Sequence, residues 1–125
     1  MASERAIAQP TELILDQLGR QLVVKFDNGE QFSLPCEYLR VYSPSAEVRG
    51  HGARPGRLPT GKREVNIKAI EPVGHYAVKL IFDDGHQSGL YSWSYLYDLG
   101  SRYTEYWKNY LASLAELGIS RDGIP

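Results

Sequence analysis

Apolar and polar side chains alternate through "ELILD" (12–16), "QLVVKF" (21–26), "QFSL" (31–34), "EVNIKAIEPV" (64–73) and "YAVKLIF" (76–82). A period of two puts alternate side chains on one face, so each stretch predicts a strand with one buried side. Two hairpin turns separate some of them, "DNG" at 27–29 and "DDG" at 83–85, where Gly29 and Gly85 can take a positive φ without steric cost. "QLGR" at 17–20 predicts a third, with Gly19 in that role. The front of the chain therefore reads as a β-meander.

The two Asp-containing turns lie in similar surroundings. Aligning "KFDNGEQFSLPCEYL" (25–39) with "IFDDGHQSGLYSWSYL" (81–96) matches Phe26, Asp27, Gly29, Gln31 and Leu34 with Phe82, Asp83, Gly85, Gln87 and Leu90. One extra residue in the second copy then brings Tyr38-Leu39 onto Tyr95-Leu96. Each copy reads as strand, turn, strand and short helix, a duplicated ββα unit.

From Ser101 onward the period changes. Tyr103, Tyr106, Trp107, Tyr110, Leu111, Leu114 and Leu117 recur at spacings of three and four, opposite Arg102, Glu105, Lys108, Asn109 and Glu116. This is an amphipathic helix, with Ser101 as its expected cap and Gly118 as its left-handed stop. The expected fold class is α+β: a twisted antiparallel sheet built from two ββα-like units, with short helices and a C-terminal amphipathic helix over its apolar face. Residues 1–10 are expected to be flexible, 11–100 to form the domain, 101–118 the packed helix and 119–125 a frayed tail.

Length fits that single domain, because 125 residues bury enough surface for one core. The lone Cys36 excludes an internal disulfide or a multi-cysteine metal cluster within one chain, which fits a reducing, cytoplasmic setting. "MASERAIAQP" at the start has neither signal-peptide nor anchor character, and no apolar run approaches the roughly 20 residues needed to span a bilayer. The net charge of −1 conceals segregation. Residues 49–63 carry five cations (Arg49, Arg54, Arg57, Lys62, Arg63) and no carboxylate, leaving nine cations against fifteen carboxylates elsewhere. Such a loop can gather anions or stay solvated.

Tested for chemistry, the chain yields little. "GRLPTGKR" (56–63) approaches a phosphate-binding loop, but a strand follows it instead of a helix, and Arg63 stands where the magnesium-binding hydroxyl belongs. His51, His75 and His86 form no paired ligand motif and no facial triad. Cys36 opens a short helix after Pro35, and without a neighbouring base it reads as a packed small residue. "GLYSWSYLYDLG" (89–100) places Tyr91, Trp93, Tyr95 and Tyr97 within seven residues, too many for one helix face, so part of the set is expected at the rim. The strands lack an aromatic RNA-binding signature, which disfavours nucleic acid as a partner.

"SLPCEYLRVYSPSAEVRGHG" (33–52) and "GKREVNIKAIEPVGHYAVKLIFDDGHQSGLYSWSYLYDLG" (61–100), with their spacing, resemble the small bacterial proteins made of a gamma-butyrobetaine hydroxylase-like N-terminal domain. The resemblance spans about residues 11–100, and the final helix looks like the extension of stand-alone members. In the hydroxylases this domain precedes an iron- and 2-oxoglutarate-dependent catalytic domain, which is not expected here. The resemblance also implies a zinc module with a Cys-x-Cys-x-x-Cys cluster and a later histidine. The matching positions here are Ser43, Ser45, Val48 and His86, and hydroxyls and a valine do not replace thiolates on zinc. Related domains occur joined to P-loop iron–sulfur carriers, an analogy with metal trafficking.

The expected function is a non-catalytic interaction module with an unidentified protein partner, no membrane contact and no cofactor. Its contact residues are expected to be Ser43, Ser45, Arg49, His51, Tyr91, Trp93 and Tyr95. The alternative is an iron or iron–sulfur accessory that binds iron or zinc through His86 with His51, Cys36 or ligands from a partner.

Overall fold

A computed structural model describes residues 8–44 and 58–123. Three strands, β1 (Pro10–Asp16), β2 (Gln21–Phe26) and β3 (Gln31–Pro35), run antiparallel in that order and lead into helix α1 (Cys36–Val41). A second set follows: β4 (Ile67–Val73), β5 (Ala77–Phe82) and β6 (Leu90–Ser92), then α2 (Trp93–Ser101) and α3 (Tyr103–Glu116). The α+β class holds, but the strands form two three-stranded sheets where one was expected. The reason lies between β3 and β4. A helix and a long connection replace a hairpin there, so each meander closes its own sheet and the two share one core. Leu22, Val24 and Phe26 of β2 and Val78, Leu80 and Phe82 of β5 alternate inward from the two central strands and meet Leu34, Leu39, Tyr91 and Leu96.

The duplication is present in the main chain and is larger than two strands per copy. The amide of Phe26 donates to Glu30 O at 2.9 Å and that of Phe82 to His86 O at 3.0 Å. Asp27 N donates to Gln9 O and Asp83 N to Asn66 O, both at 2.9 Å, while the Gln9 and Asn66 amides donate back to the Asp27 and Asp83 carboxylates. Both first pairings, β1 with β2 and β4 with β5, shift register near their outer ends, between Pro10 and Glu12 and between Ile67 and Ala69. Cys36 N donates to Arg20 O as Trp93 N donates to Tyr76 O. The repeating unit is therefore βββα. Pairing of Leu34 with Leu22 and of Tyr91 with Val78 makes Tyr91 the counterpart of Leu34. The extra residue of the second copy thus falls before Tyr91, which displaces Leu90 from the alignment.

Local details correct several expectations. Gly29 and Gly85 take φ of 91° and 94°, as their turns require. In the 17–20 turn it is Arg20 that is left-handed, at φ 51°. Gly19 is needed for space instead, because a Cβ there would lie 2.4 Å from the Asp16 carboxylate that accepts its amide. The C-terminal helix starts after a break at Arg102, which ends α2 and opens α3. Ser101 does not cap α3; its hydroxyl donates to Tyr97 O at 2.7 Å within α2. Tyr110 and Leu114 are buried and Tyr103, Tyr106 and Trp107 half-buried, whereas Leu111 and Leu117 remain 40% and 58% exposed. Gly118 supplies the left-handed stop at φ 67°.

Gln9 is already bonded to the β2–β3 turn. Residues 119–123, expected to fray, fold back: the Arg121 guanidinium forms two hydrogen bonds of 2.7 and 2.6 Å with Glu37 of α1.

Candidate functional site

Helix C-termini leave carbonyls without intrahelical partners, and in this fold tyrosines fill them. Tyr38 of α1 donates to Leu99 O at the end of α2, and Tyr95 of α2 donates to Tyr42 O just beyond α1, each at 2.7 Å. These two bonds are counterparts under the repeat, so the helices of the two copies satisfy each other reciprocally. Tyr91 adds a bond to Leu39 O at 2.6 Å. Burial pushes the Tyr38 and Tyr91 hydroxyls far above the ordinary tyrosine value.

The repeat also identifies where the copies diverge. Gly100 at the end of α2 is covered by Phe32, whose ring would lie 2.3 Å from a Cβ there. The corresponding place in the other copy has the sizes reversed: Gly89 stands for the phenylalanine and Ser43 for the glycine, and a Cβ on Gly89 would lie 2.4 Å from Ser43 Oγ. One corner is plugged by an aromatic ring. At the other the Ser43 hydroxyl fills the place beside Gly89 and shares a 2.8 Å hydrogen bond with His86 Nε2.

Charge surrounds this polar corner. His86 sits in the β5–β6 turn, with its amide donating to Asp84 Oδ1 at 3.1 Å. Arg40 Nε from α1 and Lys62 Nζ from the preceding connection both reach Asp84 Oδ2, at 2.9 and 2.7 Å. Burial alone would raise the Asp84 pKa, but donation from Lys62, the His86 amide and Arg40 outweighs it and brings the carboxyl down to about 2. The carboxylate is thus a charged hub joining helix, turn and connection.

The sequence-derived site residues divide. Ser43 and His86 come together, and Ser43 and Tyr91 are wholly buried at 0% exposure. Each is buried for a polar reason, Tyr91 for the Leu39 carbonyl and Ser43 for His86. Trp93 and Tyr95 are half-buried. Trp93 Nε1 donates to His75 O at 2.7 Å, which ties the start of α2 to the β4–β5 turn. Ser45, Arg49 and His51 lie outside the described residues.

Cys36 and His75 do not join His86. Cys36 opens α1 whereas Ser43 follows its end, and His75 and His86 flank opposite ends of β5. The Cys36 thiol is buried, 3.8 Å from Asn66 Oδ1, and desolvation is the main force pushing it up to about 11. Among the described residues no group of three or more His, Cys, Asp or Glu side chains can hold a metal ion. One imidazole beside one serine hydroxyl does not fit zinc, which favours thiolate, imidazole and carboxylate ligands.

The phosphate-loop likeness also fails in three dimensions. Gly61 N donates to Arg121 O, Lys62 is engaged by Asp84, and strand β4 follows at Ile67. Sequence reasoning missed Asp84, Arg40, Lys62 and Gly89. Asp84 was legible only as a turn former, because its two cationic partners, Arg40 and Lys62, come from separate parts of the chain.

These features define a duplicated α+β domain with one plugged and one polar corner. The chain belongs to the family described as gamma-butyrobetaine hydroxylase-like, N-terminal, which matches residues 13–97. Two proteins with solution NMR structures are similar to it. One is 54% identical with a TM-score of 0.81, over 100% of this chain and 93% of the other. The second is 44% identical with a TM-score of 0.80, over 96% and 94%. A crystal structure of a protein of unknown function from Acidithiobacillus ferrooxidans, belonging to the DUF971 family, is 37% identical with a TM-score of 0.63, over 74% of this chain and 92% of the other. A search of the curated proteins found no match. Among the described residues, no helix is long and apolar enough to cross a membrane.

Proposed function

We propose that this chain is a non-catalytic module that acts by docking to another protein. The observation that carries this reading is that the groups best suited to chemistry are engaged inside the fold. The Ser43 hydroxyl and His86 imidazole bind each other, Asp84 balances two cations, and the Cys36 thiol is desolvated and held protonated. Ser43 is wholly buried, so its pairing with His86 is not presented to a substrate, and the Asp84 carboxylate and Cys36 thiol would have to leave their present surroundings to act on one. Contact residues under this reading are Ser45, Arg49 and His51, with Trp93 and Tyr95 at the rim.

A second reading, an iron- or zinc-binding accessory, has one observation in its favour. Ser43 and His86, two positions that match the zinc ligands of the resembling hydroxylases, meet at 2.8 Å although they are 43 residues apart. It requires further ligands, from His51 or from a partner.

Native capture followed by reconstitution from purified components tests both readings. A stoichiometric complex weakened by Arg49→Ala or His51→Ala, formed from metal-free protein, is the expected result. Stoichiometric iron or zinc in the isolated chain by elemental analysis, or turnover that persists through repurification, would overturn the docking reading.

A further inference from the structure

Residues 119–123 make contacts that lead, step by step, to the polar corner. Arg121 grips Glu37, which is only 8% exposed, and its guanidinium lies 5.3 Å over the Trp107 ring. The Arg121 carbonyl accepts the Gly61 amide at 2.9 Å, and Arg63 Nε donates to the Asp122 carboxylate. Tyr110 of α3 holds the same connection through Pro59 O. Lys62, between Gly61 and Arg63, is with Arg40 one of two cations on Asp84, and Asp84 accepts the amide of His86. We propose that residues 119–123 form a latch that positions the Ser43–His86 pair, acting through residues 58–63 and Asp84.

The physical basis is the cost of releasing Arg121. Glu37 would then be a buried carboxylate without its partner, so the closed arrangement is strongly preferred. Gly118, left-handed at φ 67°, ends α3 and turns the chain back into the latch. With the latch open, the 58–63 segment loses two of its anchors at once and keeps the Tyr110–Pro59 bond and the Lys62–Asp84 pair, so the placement of Lys62 beside Asp84 loosens. Local opening of this kind can occur while the sheets stay intact, because Leu22, Val24, Leu80 and Phe82 belong to a different cluster from Tyr110 and Leu114. The coupling is independent of what the corner binds.

Nitrogen–proton correlation spectra of the full chain test this. Arg121→Gln is expected to abolish protection of the Gly61 amide and to shift both the amide and the imidazole resonances of His86, while the Val24 and Leu80 amides keep their positions. Release of Gly61 with an unchanged His86 would overturn the proposal, as would no change at either residue. Should Arg121→Gln unfold the chain, the double variant Glu37→Gln/Arg121→Gln removes the stranded charge along with the clasp. The same two probes then decide: movement of His86 supports the latch, and its stillness overturns it.

Discussion

Asp84 concentrates more electrostatic work than any other carboxylate at the polar corner, and its pH dependence has a definite sign. The folded protein holds it near 2 against an ordinary value of 3.8. The stabilisation it contributes is therefore complete above the ordinary value and is lost as pH falls through about 2. Partial exposure screens the gain, leaving about 1–2 kcal/mol at neutral pH. Urea unfolding midpoints measured between about pH 7 and 2 should show Asp84→Asn destabilised at neutral pH and converging with the parent at the acid end. Equal gaps at both ends would contradict this assignment. Cys36 gives a second test at the same scale. With its thiol pushed up to about 11 and buried, alkylation at neutral pH should wait for unfolding. Labelling as fast as a free thiol in native buffer would show that the site opens.

At the scale of elements, tyrosine hydroxyls and glycine gaps decide how the two copies fit. Tyr95→Phe strands the Tyr42 carbonyl and is expected to cost about 1–3 kcal/mol, against little for a surface Tyr→Phe. Denaturant titration of Tyr95→Phe beside Tyr76→Phe, at an exposed site, makes the comparison. The two glycine corners should respond differently to alanine. Gly100→Ala drives a Cβ into the Phe32 ring and should destabilise by about 1–3 kcal/mol through overpacking. Gly89→Ala meets Ser43 Oγ, so its first effect should be on the His86 imidazole, visible as a changed resonance with the fold retained. An unaffected imidazole would show that Ser43 and His86 are not the pair that Gly89 makes room for.

For the whole molecule, the shared core makes a claim about cooperativity. Leu22 in the first sheet and Leu80 in the second are both fully buried in one cluster. Replacing either with alanine should cost about 2–5 kcal/mol and lower a single unfolding transition by comparable amounts. Two separable transitions, one sensitive to each variant, would mean that the copies fold independently despite their reciprocal tyrosine bonds.

Local patterns specified most of the strands, the two glycine turns at 27–29 and 83–85, the short helix after Pro35 and the aromatic stripe of α3, because these follow from backbone sterics and from which face of an element must leave water. They also exposed the duplication, through Phe26-Asp27 and Phe82-Asp83. β1 and β4 were legible as strands, but their membership of the repeat stayed hidden, since the matching bonds of Gln9 and Asn66 to the two turns are announced by no local pattern. The same limit applies to the corner. Ser43, Asp84 and Lys62 are ordinary residues of a helix end, a turn and a connection until packing brings them within hydrogen-bonding distance. Burial of Tyr91 and Ser43 was likewise decided by tertiary structure, because a polar group goes inside only where a distant segment supplies its partner.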